Sequence, residues 1–320
     1  MSVLVTGGTG FVGGHLIQAL RSQGQQVVAL ARSPDKARAV EALGATALLG
    51  DLHTITPKAL GGIDVVYHLA GLTAARSEAE FRRVNAEGTA RILDAATAAG
   101  ASRFVLVSSL AAAGPLPVGA SRGDDTATRP VTDYGRSKAA AEAVVRGGAI
   151  PWVIVRPPAV YGPSDVELLK VFKIARLGTV PIFGDGSQAL SLVYGPDLAT
   201  GVAALGQPDA PTGRIYYPAH PEVITSAGLV RAIGGALGRT TRLIPLPRFV
   251  AKGILAVTET GARLAGQATL LNRDKLHEFF APAWTCDPAS LSADTGWRAE
   301  HDLAAGIPAT LAWYREHGWL

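Results

Sequence analysis

Val3-Leu4-Val5-Thr6-Gly7-Gly8-Thr9-Gly10-Phe11-Val12-Gly13 decides the fold. Val3-Leu4-Val5 is a short apolar run, the mark of a strand buried on both faces. From residue 11 to 23 the spacing turns helical, with Phe11, Val12, His15, Leu16, Ala19 and Leu20 on one face. The spaced glycines between them are Gly7, Gly10 and Gly13. The first permits a tight turn, the second lets backbone approach a pyrophosphate, and the third lets helix pack close on strand. The helix N-terminus adds free amides and a partial positive charge. The spacing is G-x-x-G-x-x-G rather than G-x-G-x-x-G, and glycine-rich turns are common. The preceding strand and the following helix give the match its weight.

The same alternation continues outward. Apolar runs at 26–31, 45–49, 63–69, 103–108 and 152–156 are separated by stretches that can hold helices, and Ser33-Pro34-Asp35 is a helix start. Apolar strands alternating with amphipathic helices predict an α/β protein with a Rossmann, doubly wound parallel sheet. Beyond residue 163 the pattern loosens, with strand candidates at 179–183, 190–194 and 214–217 and helix candidates at 197–205, 226–237 and 247–264. We read a dinucleotide-binding domain over 1–162 and a smaller α+β substrate-binding portion over 163–320. No clean linker separates them, so tight packing and some chain exchange are expected.

Composition excludes several classes. The 320 residues are 48% hydrophobic and 18% charged, which no disordered chain matches. Glycine (37) and proline (20) make 57 of 320 residues, about 18%, below the low-complexity range. A single cysteine, Cys286, fits a reducing compartment and excludes an internal disulfide or a cysteine-based zinc site. The N-terminus lacks a basic region and reaches glycines too soon for a signal peptide, and no apolar run approaches the ~20 residues of a spanning helix. We expect a soluble cytoplasmic protein without a transmembrane segment. The seven histidines lack metal-ligand spacing, no nucleophile elbow is present, and no nucleic-acid module accompanies the net charge of +4.

The second strand ends in Ala31-Arg32-Ser33, where an NAD enzyme usually has an acid for the ribose 2′-hydroxyl. Arg32 can pair with a 2′-phosphate, which favours NADP(H) over NAD(H). The other reading is that Arg32 opens a solvated helix, since Asp35, Lys36 and Arg38 follow. At the third strand end, in Gly50-Asp51-Leu52, Asp51 can accept from the adenine amino group. His68-Leu69-Ala70-Gly71 closes the fourth with small residues over which a cofactor can lie. Tyr134 and Lys138 stand four apart, on one helical face. A phenol near pKa 10 is a poor acid-base group at neutral pH, and a nearby cation lowers that value. Ser108-Ser109 closes the fifth strand at the carboxyl edge, where a hydroxyl can orient a substrate oxygen.

Together these motifs resemble the extended short-chain dehydrogenase/reductase family, the NAD-dependent epimerase/dehydratases. The resemblance rests on residues 6–13, 50–52 and 68–71, on Val84-Asn85-Ala86-Glu87-Gly88-Thr89, and on Val107-Ser108-Ser109, Tyr134-Gly135-Arg136-Ser137-Lys138 and 156–163, reaching at least Asp197-Leu198-Ala199. It implies a Rossmann domain, a dinucleotide and Ser-Tyr-Lys chemistry, with Tyr134, Lys138 and Ser109 catalytic and Ser108 the fallback hydroxyl. It places Gly7, Thr9, Gly10, Phe11, Val12, Arg32, Asp51, Leu52, Leu69, Ala70, Gly71, Ser108 and Lys138 against the cofactor, Pro158 near the nicotinamide and Asn85 near the cofactor on its helix. It leaves room for a homodimer through the helix at 89–99 and the Tyr134 helix.

Three departures narrow the branch. Ser109 is followed by Leu110-Ala111-Ala112 rather than an Asp-Glu pair, against sugar dehydration. The arginine that grips a nucleotide-sugar diphosphate aligns with Leu190, and its loss removes a charge-assisted contact. Ala112-Ala113-Gly114 replaces Val-Tyr-Gly, which is expected to widen and dry the site. The closing pattern (Trp284-Thr285-Cys286-Asp287, Thr295-Gly296-Trp297, 313–319) resembles the 3β-hydroxysteroid dehydrogenase and dihydroflavonol reductase-like branch. Residues 247–266 read as a core helix in preference to a lid or membrane-surface helix. The expected function is NADP(H)-dependent interconversion of a ketone and a secondary alcohol on an apolar small molecule. The alternatives are a sugar or nucleotide-sugar epimerase, and an NADP(H)-sensing regulator, which the Tyr134/Lys138 pair argues against.

Overall fold

The computed structural model describes residues 1–123 and 128–320. The first six strands are β1 (Ser2–Thr6), β2 (Gln26–Ala31), β3 (Thr46–Leu49), β4 (Val65–His68), β5 (Arg103–Val107) and β6 (Trp152–Val155). The chain then leaves this sheet through β7 (Ala159–Tyr161), β8 (Thr179–Phe183) and β9 (Ala189–Tyr194), and returns to it with β10 (Arg214–Tyr216). The large sheet is entirely parallel in the order β10-β6-β5-β4-β1-β2-β3. Parallel strands need crossovers. These are α1 (Phe11–Ser22), α2 (Pro34–Glu41), the short α3 (Glu78–Phe81), α4 (Gly88–Ala98), α5 (Leu110–Ala113) and α6 (Asp133–Arg146). A π-helical turn over 82–87 joins α3 to α4. Local chemistry sets their starts: Ser33 caps α2 with Pro34 at its first turn, and Thr132 caps α6 by accepting the Gly135 amide.

The strands read as apolar because both faces are covered. Val3 and Val5 join one core with Leu16, Leu20 and Leu198; Leu4 joins the other with Phe104, Ile154 and Tyr217. The later chain contributes to both. Helix α7 (Val166–Ala175) precedes α8 (Gly195–Ala204), and α8 lies on α1, its Leu198 and Val202 in the same core as Leu16. From the later chain, residues 214–216 extend the large sheet, Ile215 opposite Ile154, because buried Ile215 and Tyr216 continue the core past β6.

The rest of the chain forms α9 (Ser226–Ala236), α10 (Arg248–Leu264), α11 (Leu276–Phe279), α12 (Ala289–Thr295) and α13 (Leu303–Glu316), with β11 (Val223–Thr225), β12 (Arg242–Leu246) and β13 (Ala283–Trp284). Strands β7, β11 and β13 pair with β9, and β12 pairs with β8. Helix α10 is not the expected core helix, since only Ala251 and Leu255 on it are buried. Among the described residues no helix is long and apolar enough to cross a membrane.

A buried ion pair locks α6 onto the sheet. Arg156, just past β6, donates to Glu142 on α6 through Nε at 2.9 Å and a terminal nitrogen at 2.6 Å; both side chains are fully buried. Ser108 Oγ donates to the same carboxylate at 2.5 Å, and Arg156 also meets the Tyr217 hydroxyl at 2.5 Å. Removing one partner strands a charge in the core, whereas removing both does not. Arg156→Met is therefore expected to lower unfolding free energy by about 3–5 kcal/mol. Glu142→Leu/Arg156→Met should recover much of that loss in urea titrations. A single mutant as stable as the parent contradicts this assignment.

Candidate active site

Strands β1 and β4 are neighbours from which the chain winds outward in both directions, and ligands of such sheets bind at this switch point. The glycine loop is built for close approach. Gly7 has φ +76°, and a Cβ there would stand 2.8 Å from the Ala70 nitrogen. A Cβ on Gly13 would stand 2.1 Å from the Gly7 carbonyl oxygen. On Gly10 it would meet only that same oxygen, at 3.2 Å, so its outer side is open. A pyrophosphate fits there, over the N-terminus of α1.

Two cavities meet across this loop, sharing Gly7, Gly10, Leu69, Gly71 and Leu72. The first, about 500 Å³, holds the predicted Thr9, Arg32, Asp51, Leu52 and Ala70, together with Lys36, His53 and Arg83. The second, about 470 Å³, holds Phe11, Val12, Ser108, Ser109, Tyr134, Lys138 and Pro158. Asn85 lines neither. It is buried on the π-helical turn, accepting the Leu72 amide at 2.7 Å and donating to the Leu72 carbonyl at 3.0 Å and to Ser137 at 2.9 Å. It therefore holds the cleft wall from behind.

The two serines divide their duties. Ser108 Oγ points inward to Glu142. Ser109 lines the second cavity together with Tyr134, its Oγ accepting the Ala111 amide at 3.1 Å. Burial pushes the Tyr134 phenol up to about 12, against the pull of the Ser109 hydroxyl. The sequence reading expected Lys138 to lower it. In the protein alone burial prevails, and the Lys138 ammonium donates to the Val107 carbonyl at 2.8 Å. Burial also brings Lys138 down to about 8, opposed by Glu142. The arrangement presents a protonated phenol, a hydroxyl and an amine to one cavity.

Behind the loop, hydrogen bonds run from β1 to α4. Thr89 Oγ1 donates to the Asn85 carbonyl at 2.6 Å, so it accepts from His68 Nε2 at 2.9 Å. His68 Nδ1 then accepts from Thr6 Oγ1 at 2.7 Å, and Thr6 Oγ1 accepts the Ala70 amide at 3.2 Å. Burial, with Lys138 nearby, drops His68 to about 3, so it stays neutral.

Sequence reasoning missed several groups. Glu142 lies four residues past Lys138, a spacing that places it on the same helix face, but its partner Arg156 is remote in sequence. Lys275 stands 5.4 Å from the Tyr134 ring centre and pairs with Glu278, which accepts from the α6 cap Thr132 at 2.7 Å. No local pattern signals that contact. Two expectations are corrected. Leu190, aligned above with an arginine that grips a ligand diphosphate, lies outside the cavity: on β9 it sits opposite Ile224 and Trp284 and packs in the C-terminal core. Ala112 and Ala113 are fully buried in α5 and widen nothing.

Comparison with known proteins agrees with this geometry. The NAD dependent epimerase/dehydratase family model matches residues 3–217. A ceramide reductase of Caulobacter vibrioides is 33% identical over 326 residues, covering 99% of this chain and 96% of that protein. The 4-hydroxy-2-methyl-3-oxo-4-farnesyl-3,4-dihydroquinoline-1-oxide ketoreductase of Stigmatella aurantiaca is 40% identical over 178 residues, 53% of each chain. Among solved structures, MoeE5 in complex with UDP-glucose and NAD superposes with a TM-score of 0.78 at 22% identity, covering 99% of both chains; at that identity the likeness speaks to the fold. With its parallel sheet, glycine loop and Tyr134/Lys138 helix, the chain belongs to the NAD dependent epimerase/dehydratase family and is an NAD(P)-dependent enzyme of the extended short-chain dehydrogenase/reductase type.

Proposed function

We propose that the protein reduces a ketone on an apolar, lipid-like molecule to a secondary alcohol, with NADPH as donor. One observation carries this reading. Ser109, Tyr134 and Lys138 face a cavity otherwise walled by apolar groups such as Val160, Val166, Leu198 and Leu270. Its other charged groups, among the described residues, are Asp165 and Glu167, with no arginine. A nucleotide-sugar diphosphate entering there meets carboxylates and no guanidinium, which argues against the epimerase alternative. The names of the two reductase relatives, a ceramide and a farnesylated quinoline, fit a long apolar substrate.

Bound NADPH supplies the hydride. The chain supplies the rest. Ser109 Oγ donates to the ketone oxygen, Tyr134 Oη gives it a proton, and Lys138 Nζ holds ribose hydroxyls and the charge balance. At the other end of the cleft Arg32, Lys36 and Arg83 gather around the adenosine side, where a 2′-phosphate adds charge-assisted bonds. Asp51 is the acid among them, and its Oδ1 accepts the His53 amide at 2.9 Å.

Three measurements test this. Tyr134→Phe should cut ketone reduction by about 10²–10⁴ while NADPH still binds, read by fluorescence titration; unimpaired turnover sinks the mechanism. Arg32→Ser should lower the NADPH-over-NADH preference in kcat/KM by about 10- to 100-fold; an unchanged ratio assigns Arg32 to solvent. Tyr134, at about 12, keeps its proton throughout the neutral range, whereas Lys138, at about 8, loses charge as pH rises through that value. Reductive kcat/KM should therefore fall above about pH 8. A profile flat to pH 10 (a bound set here by the assay, about two units past the Lys138 value) excludes Lys138 as the charged partner.

A further inference from the structure

Ala251 and Leu255 turn α10 inward against Phe183, Leu276, Phe279 and Phe280. Its opposite side is apolar and uncovered: Phe249 is 77% exposed, Val257 73%, Leu264 85% and Ile254 42%. At about 100° per residue these four fall in one stripe, with Gly253 and Gly261 between them. Lys252 and Arg263 stand along the edge of that stripe nearest Phe249, whereas Arg248 turns toward the inward side, its guanidinium carbon 5.7 Å from the centre of the Phe280 ring. The acid of this helix, Glu259, is neutralised by Arg263 at 3.1 Å and Arg273 at 2.9 Å. Such a face, apolar with a cationic border, matches the interface between headgroups and acyl chains. It also leads to the catalytic cavity, since Leu270, six residues past Leu264, is part of that cavity's wall.

We propose that α10 docks flat on an anionic lipid surface, with Phe249, Val257 and Leu264 at the acyl boundary and Lys252 and Arg263 on the headgroups. The helix lies on the surface and does not span it, because it is not long and apolar enough to cross. A second copy of the chain fits this face poorly: two-fold pairing sets the same basic edge on both sides of the contact. Docking is independent of the substrate reading above, and its test reads binding rather than turnover.

Sedimentation with phosphatidylcholine vesicles, with and without phosphatidylglycerol, provides the test. The parent protein should pellet with the anionic vesicles and be released by salt. Phe249→Asp/Val257→Asp should weaken that binding by at least about tenfold at an unchanged melting temperature. Lys252→Glu should lose the preference for anionic vesicles, and it tests the same face should the double variant fold poorly. Equal, negligible pelleting with both vesicle types overturns the proposal. So does a concentration-dependent dimer on gel filtration that Phe249→Asp/Val257→Asp abolishes in the absence of vesicle binding, which assigns the face to a second copy.

Discussion

The fully buried Glu142–Arg156 pair is the constraint on which the site depends. Two ions in a core are expensive to desolvate, and they persist here because every approach is hydrogen-bonded: guanidinium to carboxylate twice, Ser108 to the carboxylate, and Arg156 to the Tyr217 hydroxyl. The pair therefore acts as a clamp with direction. It ties α6 to the ends of β5 and β6 and to the residue after β10. By taking Ser108 inward it leaves Ser109 as the hydroxyl turned toward Tyr134. The groups proposed to react thus hang from a charge cluster buried behind the cavity wall.

What was legible in the chain was what is local. The glycine turn, the buried strands and the Tyr134/Lys138 spacing each repeat a period or fill a steric need within a few residues, so the sheet and most of the cleft wall could be read directly. What escaped depends on remote partners. Residues 214–216 have the same apolar character as an edge strand of the smaller portion, and only packing against β6 puts them in the large sheet. Leu190 stands where the family resemblance places an arginine, but its β9 register sets it opposite Ile224 and Trp284. Ala112 and Ala113 are small because α5 is buried, not because a ligand lies on them. Asn85, which the resemblance places near the cofactor, serves the backbone of Leu72.

The two ends of the cleft follow different rules. The dinucleotide end is made of backbone and strand termini, which a short motif specifies. The end over Tyr134 is closed by Asp165, Val166, Leu198 and Leu270, drawn from segments far apart in the chain. On the proposed reading, cofactor recognition is held by the rigid sheet and substrate recognition by the connections between elements.

His68 has a further consequence for the cleft floor. Its neutral ring is wedged between Thr6 and Thr89, and the same threonine hydroxyl receives the Ala70 amide. Every group in that line keeps one protonation state across the neutral range. The floor is therefore a passive ruler: it sets the height at which a ligand rests above β1 and β4, and acidity does not move it. Lys138, brought down to about 8, stands on the opposite wall, so a rise in pH past that value alters charge there without altering the depth of the seat.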